Sequence, residues 1–364
     1  MSCYGWLPSR RCLPISCLAL LTIKVCTLTN RKQRTIGVPK GLLYYKYFPL
    51  WKTFFEKLDY RVVESEKTNT GTLKEGSRYA IDEICIPLKV YYGHVLDLVG
   101  QKVDCLFIPR YVSATFGTYM CPKFLGLPDL IRGTINNLPP IIEMEIDLRK
   151  KPVFYSMLET GRKLNGSFSQ IKSAFEESVK TYRRFRVIME TGFTFQEALD
   201  LLGKNPAEVP ERMPTGNPAR VAVVGHGYNV HDPFVNMGLM EKLKNMKVDA
   251  VVLENLPGRI FRQKTKISET LKNYWGNEEE ILSGVDYLFK NNLVDGVIFL
   301  CSFCCGPDSL VDEIITRDAK TRDIPYICVV MDEHSGQAGV ITRVESFVEM
   351  ILRRKRSLGI KEAG

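Results

Sequence analysis

From Thr35 onward, short apolar runs rich in β-branched residues alternate with longer stretches whose apolar positions recur at helical spacing. TIGVP, YYKYFPLWKTFFEKL and YRVVES predict strand, helix and strand, and VDCLFIP and PPIIEMEI each predict a further strand. The second half is cleaner. ARVAVVG, VDAVVLE, VDGVIFLC and IPYICVVMD are apolar runs of strand length, continuous rather than alternating, as strands buried on both faces read. DPFVNMGLMEKLKN, EEEILSGVDYLFKNN, PDSLVDEIITRDAK and AGVITRVESFVEMILRRKR show helical spacing. Strand and helix alternating in this way predict parallel sheets with right-handed crossovers.

Between the halves the strand signal disappears. FSQIKSAFEESVKTYRRFRVIMETGFTFQEALDLL predicts helices, and GKNPAEVPERMPTGNPAR, rich in Pro and Gly, predicts a linker. The chain therefore divides into an N-terminal α/β lobe over 35–150, a helical connector and linker over 151–217, and a C-terminal α/β lobe over 218–356. Residues 1–34 stand apart. They hold four of the eleven cysteines and an apolar run, LPISCLALLTI, too short to span a membrane. SRRCLP faintly resembles a twin-arginine export motif, but Lys24 interrupts the tail and no AxA cleavage site follows. The segment reads as a leader or an extension translated from upstream of the true start, without fixed structure, and the protein is expected in the cytoplasm.

Charge changes the picture only until it is located. The net charge is +9, yet Arg10, Arg11, Lys24, Arg31, Lys32 and Arg34 all lie in the acid-free leader, leaving 44 basic against 41 acidic residues. The basic footprint of a nucleic-acid binder is missing. There is no Walker A sequence and no GxGxxG after a strand, so ATP hydrolysis by this chain is not expected.

Seven cysteines remain: Cys85, Cys105, Cys121, Cys301, Cys304, Cys305 and Cys328. An odd number, widely scattered, does not make a disulfide framework. Cys105 and Cys328 sit inside strand runs and read as small buried hydrophobes. Cys301, Cys304 and Cys305 follow VDGVIFL, and Asp308 and Ser309 read as caps of the next helix. Spacing alone leaves iron–sulfur ligation, buried thiols, a redox CxxC pair and zinc all open.

The unusual residues share an address. His226 and His231 follow VAVV, His334 follows ICVVM, and Cys121 follows CLFIP by one loop, as ligand sites do beyond the carboxyl ends of parallel strands. The three histidines are candidates to position a substrate, whereas His94 reads as a helix-face residue. Lys40, Lys89 and Lys123 stand near these loops and are candidates to meet an anion.

IGVPKGLLYYKYFPLWKTFFEKL, DEICIPLKVYYGHVLDL, FIPRYVS followed by YMCPKFLGLPDLIR, GHGYNVHDPFVNMGL, CGPDSLVDEI and DEHSGQAGVITRVESFVEMI together resemble the activase-related members of the 2-hydroxyacyl-CoA dehydratase and benzoyl-CoA reductase superfamily. The likeness runs from about Thr35 to Arg353. It implies two flavodoxin-like, Rossmann-like lobes with an iron–sulfur cluster, [4Fe–4S] or double-cubane, between them. Carried over, the ligands are Cys85, Cys121 and Cys305; Cys304 is a departure, because relatives show a small residue there. The resemblance also implies one-electron chemistry, in which a separate ATP-dependent activator supplies electrons for reducing a CoA thioester or a small molecule. The chain would then be a dehydratase or reductase component. The alternative is a non-catalytic cluster-carrying electron-transfer or assembly partner of a CoA-enzyme activase. A dimer with itself or a related subunit is a further expectation.

Overall fold

The structure, a computed structural model, describes residues 33–115, 117–204, 209, 216–262 and 275–362. Nearly all of the predicted leader and most of the predicted linker lie outside the described residues.

The first sheet contains β1 (Thr35–Val38), β2 (Arg61–Glu64), β3 (Cys105–Phe107) and β5 (Ile141–Ile142), in the order β2-β1-β3-β5. The second contains β7 (Ala219–Gly225), β8 (Val248–Val252), β9 (Gly296–Ser302) and β10 (Tyr326–Met331), in the order β10-β9-β7-β8. All pairings are parallel. Read from the second strand of each set, both orders are 2-1-3-4, the doubly wound pattern, with switch points between β1 and β3 and between β7 and β9. The protein is thus α/β with two Rossmann-like lobes.

Local chemistry explains where the elements break. VDCLFIPRYVS forms two strands, β3 and β4 (Arg110–Ser113), separated by Pro109, which has no N–H for the ladder. Its partner run behaves likewise. PPIIEMEI, expected as one strand, splits into β5 and β6 (Glu145–Asp147), which pair with β3 and β4 respectively. β9 is buried at every position, as its unbroken apolar run requires.

Helix α1 (Tyr44–Lys57) buries Phe48, Trp51, Phe54 and Phe55, with Trp51 and Phe55 edge-on to Phe107 of β3. Helix α2 (Thr70–Tyr79), weakly apolar and unpredicted, starts at a capping box between Asn69 and Thr72. It crosses α3 (Ile86–Gly100) so closely that a Cβ on Gly76 would lie 1.8 Å from the Lys89 carbonyl oxygen, and one on Gly93 2.0 Å from that of Thr72. The short α4 (Pro122–Leu125) leads into α5 (Leu127–Thr134). The connector region holds α6 (Val153–Lys163), α7 (Phe168–Glu190) and α8 (Phe195–Leu202).

In the second half, α9 (Gly227–His231) follows β7. DPFVNMGLMEKLKN is helical only over α10 (Leu239–Asn245), because Asp232 accepts from the amides of Phe234 and Val235 and holds the preceding residues in a turn. Helices α11 (Gly276–Lys290), α12 (Gly306–Thr321) and α13 (Gln337–Glu362) complete the described chain. Among the described residues no helix is long and apolar enough to cross a membrane.

Candidate metal centre

Three cysteines occupy the same kind of position. Cys85 is the N-cap of α3, Cys121 of α4 and Cys305 of α12, and each helix carries a proline in its first turn. Proline there fixes the backbone without losing a hydrogen bond. The Leu88 amide donates to the Cys85 carbonyl oxygen at 3.0 Å and the Phe124 amide to that of Cys121 at 2.8 Å, so neither thiol is itself held by a cap hydrogen bond.

Cys85 and Cys121 come into electrostatic reach of Cys305, whose sulfur acts on both. Burial pushes the Cys85 thiol up to about 11, against the opposing charge of Lys123, with Cys305 and Cys121 adding to the rise. Burial also raises Cys121. All three are half-buried and free of disulfides.

The neighbouring thiols have other surroundings. Cys301 closes β9 and is buried, Cys105 is buried in β3, and Cys328, expected to be buried, is only half so. Cys304 is exposed and left-handed, with φ 65°. Asp308 and Ser309 are not the caps of α12. That place belongs to Cys305; Asp308 lies in the first turn, fully buried, and the Ser309 hydroxyl donates to the Cys305 carbonyl.

The switch point of the second sheet brings a second set of groups to Cys305. Gly225 ends β7 with φ 148°, and a Cβ there would lie 2.6 Å from the Leu300 carbonyl oxygen of β9, so glycine is required where the two strands part. The next residue, His226, is buried with Nε2 3.0 Å from Asp308 Oδ1 and 3.7 Å from Glu278 Oε1. Ligand atoms of His226, Cys305 and Asp308 all lie within 4.8 Å of one another. Burial alone would lower the His226 pKa, but the Asp308 carboxylate, Cys305 and Glu278 carry it well above the ordinary value. Burial raises Glu278.

His226 stacks on Tyr228, with ring centroids 4.9 Å apart. These two residues line a cleft of about 360 Å³ that also receives Lys46, Tyr47, Tyr182 and Arg186. Lys46 reaches Glu280 at 2.5 Å, tying α1 to α11 across it.

The remaining candidates fall elsewhere. His231 pairs with Glu254 at 3.2 Å, and His334 projects into solvent. His94 is buried rather than on an exposed helix face, with Nε2 3.0 Å from Thr68 Oγ1. Lys40 pairs with Glu64 at 3.3 Å and Lys89 with Glu333, while Lys123 stands beside Cys85 and Cys121. Glu278, Tyr228, Lys46 and Arg186 were not singled out by sequence reasoning, since none lies in a motif whose spacing announces it.

The donor set fits an iron–sulfur cluster. Half-buried thiols at helix N-termini suit anionic sulfur ligands. The buried Asp308 carboxylate beside them is met by the His226 imidazole at 3.0 Å.

Two parallel sheets, the second with thiol and carboxylate groups beside its strand-order reversal, define the class: an α/β protein of two Rossmann-like lobes. Residues 35–256 match the family described as CoA enzyme activase uncharacterised domain (DUF2229), and the chain belongs to that family. No curated protein matches it. A solved structure described as "Nitrogenase Cp1 at pH 5" aligns over 90% of this chain and 59% of its own, with 10% identity and a TM-score of 0.22. A likeness that weak carries no argument.

Proposed function

We propose that this chain is a cytoplasmic iron–sulfur protein, with Cys85, Cys121 and Cys305 holding a [4Fe–4S] or double-cubane cluster between the lobes 35–150 and 218–356. It receives single electrons from an ATP-dependent activator and passes them to a CoA thioester or another small molecule. The observation that carries the reading is that three thiols from distant parts of the sequence each stand at the N-terminus of a helix with a proline in its first turn, within electrostatic reach of one another. The family description, which names CoA enzyme activases, supports the same theme.

When bound, such a cluster supplies one-electron transfer, tuned by hydrogen bonds to its sulfurs and by burial. The chain's own residues have separable roles. The Lys123 ammonium offsets the negative charge of the Cys85 and Cys121 thiolates. His226, which approaches Cys305, and Tyr228, stacked on it, both line the cleft. Lys46, paired with Glu280, and Arg186, paired with Glu190, are the cations that line that cleft toward an acidic or carbonyl-bearing small molecule.

The test is anaerobic reconstitution of the full chain, followed by iron and sulfide analysis and EPR after dithionite reduction. A colourless, iron-free product would sink the proposal. If iron is held, Cys85→Ala, Cys121→Ala and Cys305→Ala should each lose it while Cys304→Ala retains it. Loss in Cys304→Ala with retention in Cys305→Ala would reverse the assignment between the neighbours.

A further inference from the structure

The cleft lies at the carboxyl ends of β7 and β8, and the turn leaving β7 reads Gly225-His226-Gly227. Both glycines are needed there. A Cβ on Gly225 would lie 2.6 Å from the Leu300 carbonyl oxygen, and one on Gly227 would lie 2.9 Å from Glu254 Oε1. Glu254 stands just past β8, the strand that pairs with β7, and lines the cleft together with Gly227. A turn with two glycines after the first strand of a doubly wound sheet, and an acid at the end of the neighbouring strand, is the arrangement by which Rossmann folds hold a ribose through its hydroxyls.

Glu254 is equipped to accept hydrogen bonds. Burial alone would raise its pKa, but the His231 imidazole and the Arg186 guanidinium carry it down to about 2. His231 Nε2 stands 3.2 Å from Oε2, whereas the oxygen beside Gly227 is Oε1. His231 is itself packed against the rings of Tyr45 and Phe195. The carboxylate is thus held ionised and in place, with one oxygen left beside a glycine of the cleft wall.

The nucleotide-binding pattern stops there. Val230 takes the place of a third glycine, and α9 has only 5 residues, so no seat for a pyrophosphate follows. Among the described lining residues the cations are already paired, Lys46 with Glu280 at 2.5 Å and Arg186 with Glu190 at 3.6 Å. The remainder is largely aromatic. Tyr47, Tyr182, Tyr228 and Phe261 all line the cleft, whose volume of about 360 Å³ is at the small end for a ligand site.

Resting on the reading of this cleft as a small-molecule site, and not on the cluster, we propose that it binds a ribonucleoside moiety with a free 2′,3′-diol. Glu254 accepts from the ribose hydroxyls, His231 is its positioning residue, and the flat base lies among the aromatic rings. A carboxylate at the diol repels a phosphate there. The cleft therefore refuses the adenosine end of coenzyme A, whose 3′-hydroxyl is phosphorylated, and takes nucleosides or nucleotides phosphorylated only at the 5′ position.

Calorimetric titration of the full-length protein with adenosine, guanosine, cytidine and uridine, before and after iron reconstitution, tests this. At least one should bind, and its 2′,3′-dideoxy analogue should bind at least about tenfold more weakly, having lost its hydrogen bonds to a charged acceptor. Its 3′-monophosphate and coenzyme A should fail to displace it. A 5′-monophosphate that binds more tightly than the nucleoside identifies a nucleotide as the ligand, and one that does not identifies the nucleoside; both results support the site. Glu254→Gln should weaken nucleoside binding about tenfold and leave the dideoxy analogue unaffected.

Equal affinity for a nucleoside and its dideoxy analogue, or no binding of any of these nucleosides at millimolar concentration, would overturn the proposal. If Glu254→Gln does not fold, the wild-type comparison of the diol with the dideoxy ligand decides by itself. Nucleoside binding by a protein that takes up no iron would leave this site standing while removing the cluster reading. An iron-loaded protein that binds no nucleoside would do the reverse.

Discussion

The phenol of Tyr45 donates a 3.0 Å hydrogen bond to Asp232, 187 positions further along the chain. Asp232 also accepts from Thr68 and from the amides of Phe234 and Val235. One buried carboxylate therefore joins α1, the loop after β2 and the turn that opens α10. Tyr45→Phe, which leaves the other donors in place, should cost about 1 kcal/mol. Asp232→Ala, which strands all of them, should cost about 3 kcal/mol. Urea unfolding of the two variants measures both. Equal stability of Asp232→Ala and wild type would show that the junction contributes nothing.

The same network makes stability depend on pH. Because the Thr68 hydroxyl gives its only proton to Asp232, His94 Nε2 must donate to it. Burial, with Lys40 adding to it, lowers the His94 pKa from 6.5 to about 3. The unfolded chain therefore binds a proton at this site that the folded chain refuses. The contribution is complete above pH 6.5 and is lost as pH falls from there toward 3. Between pH 7 and pH 5 the His94 share of the loss should be about 2 kcal/mol. His94→Gln should remove that share from the difference in unfolding free energy between the two pH values; an unchanged difference would refute it.

The close crossing of α2 and α3 leaves no room at Gly93. Gly93→Ala should cost about 2–3 kcal/mol, because the obstacle is the Thr72 backbone rather than a movable side chain. Since Cys85 caps the displaced helix, the variant should also bind less iron on reconstitution. Gly100→Ala, at the open end of the same helix, is the control and should be neutral or slightly stabilising. Thermal unfolding of the pair gives the comparison.

Cys304 occupies a backbone conformation that side chains resist. Cys304→Gly should therefore raise stability by about 1 kcal/mol and leave cluster binding unchanged. Destabilisation by this substitution would mean that the exposed thiol makes a contact worth more than the strain.

Much of the architecture was legible along the chain because apolar runs of strand length have few other places to go in a folded domain. The four runs of the second half became β7 to β10 with small changes at their ends. PPIIEMEI was less legible, since a switch of partner between β5 and β6 leaves no mark on the hydrophobic pattern. Helix α2 was invisible for a related reason: it is held by a cap and by two glycines, not by an apolar stripe.

The sequence by itself determined the alternation of strands and helices and the placement of unusual residues just beyond strands, and its resemblance to a family pointed to Cys85, Cys121 and Cys305. These are properties of short segments, and spacing records them. Only the tertiary structure decided that the three cysteines are helix N-caps near one another, that Cys304 is turned out by a left-handed backbone, and that Asp308 is a buried carboxylate against His226 rather than a cap. Burial and charge at a point depend on chain segments far apart in sequence. The meeting of β7 with β9 sets both at Cys305, and no local pattern encodes that meeting.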